Sequence, residues 1–399
     1  MNVIVQKFGG SSLAEDEQLR SVARRVADTH RAGHAVVVVV SARGNTTSQL
    51  LAHAGRLNPN PENRELDMLL AAGEQQSASM LSLALQEMGL SAIALTGPQA
   101  GVRTCDAHLN ARIDRVEPER MRQELARGHV VVVAGFQGSS PTGDITTLGR
   151  GGSDTTAVAI AAALKATRCE IYSDVDGVYT SDPRVVEDAE RLNVVAHSEM
   201  KALAHHGAGV LNERAIDYAV KHKVTLHARK AHGKGGETIV RAETGIGRSR
   251  IVGVACHKSL LRVDFGPGID QAALAKRLED YDLFAPERAE GAQGSYLIPT
   301  GQLAEVEGLV ANLRKRFGDA VEISGPFASV SAVGFQAGKD PETAVFAISA
   351  LHASDIDVLD QMVFDHAVTC LVPVDDAAAA TCAFHDGFRI TDTGVAHVA

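Results

Sequence analysis

Five consecutive valines, Val36 to Val40, constrain this chain more than any other stretch. β-branched side chains favour extended backbone. A run that is apolar on both faces must be buried on both, as in a central strand of a parallel sheet. Val130–Val133 repeats the pattern, and Val3–Val5, Ala92–Leu95, Cys169–Tyr172 and Val224–Ala228 are shorter versions of it. Helical patterns lie between them: Glu15–His30 with Leu19, Val22 and Val26 as its stripe, Met68–Met88 interrupted near Gly73-Glu74-Gln75, Ser153–Ala166, Ser198–His206 and Asn212–Lys221. This alternation predicts right-handed βαβ units and a mainly parallel sheet. Lys7, Ser41, Thr96, Gly135 and Asp174 each fall just after the carboxyl end of a strand. In an open α/β sheet, that edge is where ligands bind.

Beyond Lys234-Gly235-Gly236 the character changes. Strands are predicted at Leu260–Phe265, Tyr296–Pro299, Val321–Ser324, Ser329–Phe335, Asp357–Leu359 and Val368–Val372. Helices are predicted at Gln271–Leu283, Leu303–Phe317, Thr343–Ala353 and Ala377–Phe388. The order is about twice βαββαβ, which describes two small α+β modules in tandem without a catalytic constellation of their own. The expected division is 1–245 for the α/β domain and 246–399 for the tandem modules.

Bulk properties narrow the partners. A net charge of −10, no Trp and 4% aromatic residues argue against a nucleic-acid coat or an anionic membrane surface. No stretch approaches the roughly 20 apolar residues of a membrane span, and MNVIVQKFGG lacks a leader pattern. Five widely spaced cysteines with no CxxC pair read as reduced thiols. The expected location is cytoplasmic. His197, His205, His206, His222, His227 and His232 fit no zinc spacing and are read as surface residues.

The chemistry concentrates in a few loops. Thr146-Thr147-Leu148-Gly149-Arg150-Gly151-Gly152-Ser153-Asp154-Thr155-Thr156 places glycines around an arginine, then an acid at the start of an apolar helix. Bare backbone N–H groups feeding a helix N-terminus suit an anion, and Arg150 can fork onto a carboxylate or phosphate. Asp154 can cap the helix or face a metal or lysine. Lys7-Phe8-Gly9-Gly10-Ser11-Ser12 suits a phosphate cradle, although its spacing is not that of P-loop enzymes and an ordinary βα turn remains open. Ser41 and Thr47 can bond a small ligand or serve turns and caps. Glu74, within a Leu/Ala/Met-rich helix, can bind an ammonium or point to water. Ser173-Asp174-Val175-Asp176-Gly177 can contact a metal or ribose, or form an Asx turn, and is too short for an EF-hand. Tyr179 and Arg184 suggest an adenine or phosphate neighbourhood.

Together these segments, with Ala134-Gly135-Phe136-Gln137-Gly138, resemble the aspartate kinases of the amino-acid kinase superfamily across essentially all of residues 1–245. The resemblance implies a three-layer α/β fold with a mainly parallel sheet, followed by two α+β modules of the ACT type. It implies ATP-dependent phosphorylation of the side-chain carboxylate of L-aspartate to 4-phospho-L-aspartate, the entry to lysine, threonine and methionine synthesis. By the same resemblance Lys7 stabilises the transferring phosphoryl, the N–H groups of Gly9 and Gly10 hold phosphate oxygens, and Asp154 orients Lys7 and the Mg²⁺ environment. Arg150 clamps a substrate carboxylate, Glu74 takes its ammonium, and Ser41 and Thr47 complete the aspartate pocket. Ser173, Asp174, Tyr179 and Arg184 face ATP. No side chain is assigned as a direct metal ligand, and a homodimer or higher oligomer through the C-terminal modules is expected.

The sequence also departs from the family. Gly209 stands where a lysine contacts ATP phosphates, a job Arg184 could assume, and Lys230-Ala231-His232 replaces Ser-Ser-Phe. The effector-loop pattern is reduced to Phe265-Gly266-Pro267-Gly268, and Met362 to Val368 replaces a Ser-x-Ser-Glu-Ile strand. These changes suggest a pathway-specialised or deregulated enzyme. The alternatives are a kinase of the same fold acting on glutamate or carbamate, and a catalytically weak regulatory homologue.

Overall fold

A computed structural model describes residues 2–149, 151–242, 250–266, 295–300, 306–388 and 390. The chain divides into two compact units, and their boundary is interleaved: residues 1–178, 193–197 and 210–243 form the first, and 179–192, 198–209 and 244–399 the second. Two segments that a single cut near 245 assigns to the first unit therefore belong to the second.

In the first unit β1 (Val3–Phe8), α1 (Asp16–Arg31), β2 (Ala35–Val40), α2 (Thr46–Leu57), α3 (Asn63–Glu87) and β3 (Ala92–Leu95) open the chain. Then come β4 (Val102–Thr104), β5 (Ile113–Val116), α4 (Glu119–Ala126), β6 (Val130–Ala134), β7 (Gln137–Ser139), β8 (Ile145–Thr147), α5 (Gly152–Leu164) and β9 (Arg168–Ser173). β10 (Val194–Ala196) is followed by α6 (His197–His205), which belongs to the second unit from Ser198 onward, and α7 (Glu213–His222), β11 (Leu226–Lys230) and β12 (Glu237–Arg241) complete the first unit. Eight strands form one sheet in the order β10-β12-β11-β9-β1-β2-β6-β3. Every neighbouring pair is parallel except β11 with β12. As the valine run predicts, β2 sits between β1 and β6 with Val36–Val40 wholly buried.

α1 buries Leu19, Val22 and Val26 and starts with a capping box between Glu15 and Gln18. β1 is locked to its neighbours by polar contacts. Glu170, 1% exposed, accepts from Gln6 Nε2 (2.7 Å), Arg168 Nε (2.7 Å), Arg229 Nη1 (2.8 Å) and the Tyr172 hydroxyl (3.0 Å). A buried carboxylate with all these donors satisfied is tolerable, whereas one stripped of them is costly.

Three elements differ from the sequence pattern. The helix expected to break near Gly73 is one uninterrupted helix, α3. Gly73 serves instead for close approach, since a Cβ there would lie 2.9 Å from the Ala42 Cβ. α2 follows directly on the β2 loop and buries only Ala54, so it lacks the apolar stripe that marks a helix. A second sheet, β5-β4-β7-β8, consists of strands of three or four residues.

The second unit carries a five-stranded antiparallel sheet in the order β14-β13-β15-β17-β16. Here β13 is Arg250–Phe265, β14 Ser295–Pro299, β15 Val321–Phe335, β16 Asp360–Phe364 and β17 Ala367–Val372. β13 extends back to Arg250 from the predicted Leu260–Phe265, β15 joins the predicted Val321–Ser324 and Ser329–Phe335 in one strand, and the two pair along their length with register shifts. One core gathers Val263, Phe265, Tyr296, Leu313 and Val321, and another Val254, Val330, Ala332, Phe384 and Phe388. The strand expected at Asp357–Leu359 begins instead at Asp360. The helix expected at Gln271–Leu283 lies outside the described residues, and that at Leu303–Phe317 is described from Val306. The histidines are not a surface set. His206 is 2% exposed beside the Ser331 hydroxyl (3.2 Å), with burial holding its pKa well below the usual imidazole range, and His197 is buried against the Val224 carbonyl (3.1 Å). Among the described residues, no helix is long and apolar enough to cross a membrane.

Leu81 is fully buried in α3, while Leu83 on the same helix is 64% exposed. Leu81→Ala should destabilise the protein by about 2–5 kcal/mol. Leu83→Ala should stay within about 0.5 kcal/mol. Denaturant titration of the two variants checks this packing, and equal losses would contradict it.

Candidate active site

Lys7 is the penultimate residue of β1 and pairs in register with Val39 on one side and Ile171 on the other. Its Nζ lies 2.7 Å from Asp154 Oδ1, and each side chain is 13% exposed. Asp154 belongs to the first turn of α5, where a carboxylate complements the helix dipole. α5 is buried on nearly every side by Ala157–Ala161 and Leu164. It is entered through Gly151 at φ +66°, where a Cβ would stand 2.1 Å from the Asn212 side chain, so only glycine fits.

The loops after β1 and β2 are tied together. Gly44 N–H donates to the Gly10 carbonyl (3.0 Å), and Ser41 N–H to the Phe8 carbonyl (3.1 Å). Arg43, which sequence reasoning missed, clamps this junction by donating to the carbonyls of Leu13 (2.7 Å) and Ala14 (3.0 Å) and pairing with Asp16 (2.8 Å). An arginine in a polar loop carries no distinguishing sequence signal. Gly9 and Gly10 are half-buried, and the Cβ position of Gly9 is 3.6 Å from Lys7 Nζ.

Glu74 does not point to water. It is 3% exposed, and its Oε1 accepts from Ala42 N–H (2.9 Å). Its Oε2 is buried with no hydrogen-bond partner among the described residues. Burial pushes its pKa up to about 7 against the opposing pull of the Ala42 N–H. Ser41, next to Ala42, is half-buried, and so is Thr47 in the first turn of α2. The Lys7–Asp154 pair, the Ser41–Phe8 and Gly44–Gly10 hydrogen bonds and the Ala42–Glu74 contact thus connect the ends of β1 and β2, α3 and the start of α5, with Thr47 in the first turn of α2. Arg150 lies outside the described residues. Its approach is held by a second buried acid that sequence reasoning missed: Asp67, 0% exposed, accepts from the Thr147 hydroxyl and from Leu109 N–H (3.0 Å). The available signal was spacing, because Asp67 stands seven residues before Glu74 in one helix.

The proposed nucleotide residues divide between the units. Ser173 ends β9, its Oγ accepts from Val175 N–H (3.3 Å), and Asp174 is exposed. Ala231 N–H donates to the Ser173 carbonyl (2.8 Å), and Gly236 N–H to Asp176 (3.3 Å), so this loop is fastened to the one after β11. Tyr179 and Arg184 belong to the second unit. There Tyr179 bridges Arg191, and Arg184 is 83% exposed with its guanidinium on Asp182 (2.9 Å). Gly209, also of the second unit, is exposed with nothing within 4 Å of its Cβ position, so the space admits a longer side chain.

The chain has a mainly parallel sheet with a lysine–aspartate pair and glycine loops at its carboxyl edge, and residues 2–229 match the model of the Amino acid kinase family. Over 402 residues the chain is 38% identical to Aspartokinase 2 of Bacillus subtilis (strain 168), covering 98% of both chains. It is likewise 38% identical to the Aspartokinase of Geobacillus stearothermophilus, covering 99% of both. The fold matches E. coli aspartokinase III, crystallised in complex with aspartate and ADP, with a TM-score of 0.80 at 23% identity over 97% of this chain and 100% of that one. The chain belongs to the aspartokinases.

The Glu74 carboxyl, shifted from an ordinary 4.5 to about 7, keeps a proton in the folded state that the unfolded chain loses between those values. Stability should therefore fall as pH rises from about 4.5 to 7, by about 3 kcal/mol from this group, and flatten above. Glu74→Gln should remove that slope. Thermal unfolding of both proteins between pH 5 and 8 measures it, and parallel profiles would contradict the assignment.

Proposed function

We propose that this enzyme transfers the γ-phosphoryl of ATP to the side-chain carboxylate of L-aspartate, giving 4-phospho-L-aspartate. The observation that carries this is the Lys7–Asp154 pair at the end of β1. An ionised carboxylate needs no base in order to attack, but it is an anion approaching an anion. The site must therefore supply positive charge and alignment. Lys7 supplies the charge where negative charge gathers in transfer, and Asp154 holds its ammonium in place. The N–H groups of Gly9 and Gly10 meet phosphate oxygens. Glu74, with an unpartnered buried oxygen, takes the substrate ammonium. Ser41 and Thr47 bond the substrate, and Arg150 clamps its carboxylate. Ser173 and Asp174, at the end of β9, serve the nucleotide.

Mg²⁺ suits this donor set. It usually takes one or two carboxylates alongside substrate phosphates and water. Asp154 and the exposed Asp174 offer hard oxygen donors of that kind. The ion would screen the charge between the two anions. The family resemblance and the −10 net charge support a cytoplasmic enzyme without nucleic-acid partners. They also support a homodimer or higher oligomer built through ACT-type modules of the C-terminal part.

ADP release with a panel of acids tests this function, with aspartate as the expected substrate and glutamate and carbamate as competitors. Lys7→Ala should lower kcat by about 10²–10³-fold, the usual loss for one charge-stabilising group. Full activity in that variant, or turnover of another acid in preference to aspartate, would overturn the proposal.

A further inference from the structure

In the sheet order β11-β9-β1-β2, β9 lies between β11 and β1. The turn after β11 nevertheless reaches the β1 loop. Lys230 is the last residue of β11 in register with β9, opposite Ser173. Ala231 N–H then donates to the Ser173 carbonyl (2.8 Å), and Gly236 N–H donates to Asp176 (3.3 Å). A Cβ on Gly235 would stand 2.8 Å from the Asp176 Cβ, so this turn lies directly against the β9 loop. Between these contacts, the half-buried His232 bonds elsewhere. Its Nε2 lies 3.1 Å from the Ser12 carbonyl oxygen in the β1 loop, and its Nδ1 lies 3.3 Å from the Ser21 hydroxyl of α1.

These partners fix the ring. A carbonyl oxygen can only accept, so Nε2 carries the proton and donates to Ser12, while Nδ1 accepts from the Ser21 hydroxyl. Arg25, one turn after Ser21 on α1, donates to the carbonyls of Ala231 (3.1 Å) and Gly233 (3.0 Å), gripping the backbone on both sides of His232. The same guanidinium stands 5.1 Å from the centroid of the Tyr172 ring, and Tyr172 stacks on Phe8 at 4.6 Å. Ser12 belongs to the tight turn that follows the glycines, with its N–H on the Gly9 carbonyl (3.1 Å). Arg43, from the β2 loop, holds this turn through the Leu13 and Ala14 carbonyls, and His232, from the β11 loop, holds it through Ser12.

We propose that His232 is a positioning residue for the nucleotide: it sets the Gly9-Gly10 backbone relative to Ser173 and Asp174. The inference rests on the reading above, in which Gly9 and Gly10 meet phosphate oxygens and Ser173 and Asp174 serve the nucleotide. One ligand then has to meet loops from two strands at once, and their relative placement decides whether its contacts form together. β1 and β9 are paired as far as Phe8 and Tyr172, the last residues in register. Beyond them, Ala231 and His232 carry a hydrogen-bonded link from one loop to the other. The contacts at Ser41 and Glu74 use the β2 loop and α3 instead, so the link acts on the nucleotide rather than on the acid.

The test uses the full chain. His232→Phe keeps a ring but removes both hydrogen bonds, whereas His232→Gln can still donate to the Ser12 carbonyl. In a calorimetric titration with Mg·ATP and no acceptor acid, His232→Phe should bind ATP about fivefold more weakly, the loss expected for one hydrogen bond. In the ADP-release assay its KM for ATP should rise by a similar factor, while KM for aspartate stays within about twofold. His232→Gln should recover ATP binding to within about twofold of the unsubstituted protein. Unchanged ATP binding in His232→Phe, equal rises in KM for both substrates, or no recovery in His232→Gln would overturn the proposal. If His232→Phe does not fold, Ser21→Ala, which removes the hydroxyl that orients the ring, should weaken ATP binding about twofold, and no change there would overturn it equally. Titration without an acceptor separates this from the proposed function. Turnover of another acid in preference to aspartate sinks that function and leaves the ATP measurement to decide the role of His232.

Discussion

A lysine at the end of the central strand β1 and an aspartate in the first turn of α5 stand 2.7 Å apart, both largely shielded from water. Neither charge is cheap to bury alone, and each makes the other tolerable. The surrounding structure serves that contact. β1 is locked between β2 and β9, with Glu170 gathering Gln6, Arg168, Arg229 and Tyr172 beneath it. α5 is held by an apolar surround and by a glycine entry that no other residue fits. An ammonium fixed in this way is preorganised, so it need not reorient as charge develops.

Around the pair, the carboxyl edge of the sheet sorts the chemistry by element. The β1 and β2 loops, fastened by Arg43 and by the Gly10–Gly44 hydrogen bond, supply backbone suited to phosphate. α3 supplies a buried acid, Glu74, whose Oε2 has no hydrogen-bond partner among the described residues. In the proposed function, an anion-stabilising centre beside a buried acid suits an amino acid with a reactive carboxylate, and membership of the aspartokinases points to aspartate as that acid.

Much of this was legible in the sequence, for identifiable reasons. Val36–Val40 could only be a strand buried on both faces, and Lys7, Glu74 and Asp154 stood out as charges in glycine loops or apolar helices. What escaped depended on partners distant in sequence. Asp67 looks like any helical acid until Thr147 and Leu109 arrive from 80 and 42 residues away. In the sequence β13 reads only from Leu260 and β15 as two short strands, whereas each is one long strand whose pairing carries register shifts. His206 looked like one of many surface histidines, yet it is buried against Ser331. Tyr179 and Arg184 follow Ser173 closely in the chain but fold with the second unit. Proximity along the chain was the weaker guide, and residue chemistry at strand ends the stronger.

The most direct test of the Lys7–Asp154 pair is a double-mutant cycle on kcat for aspartate phosphorylation, using Lys7→Met, Asp154→Asn and the double variant. If the two groups act as one unit, the double variant should lose no more than the worse single variant, at about 10²-fold or more. Losses that multiply would show that lysine and aspartate work independently, and would contradict the pair as the organising contact of the site.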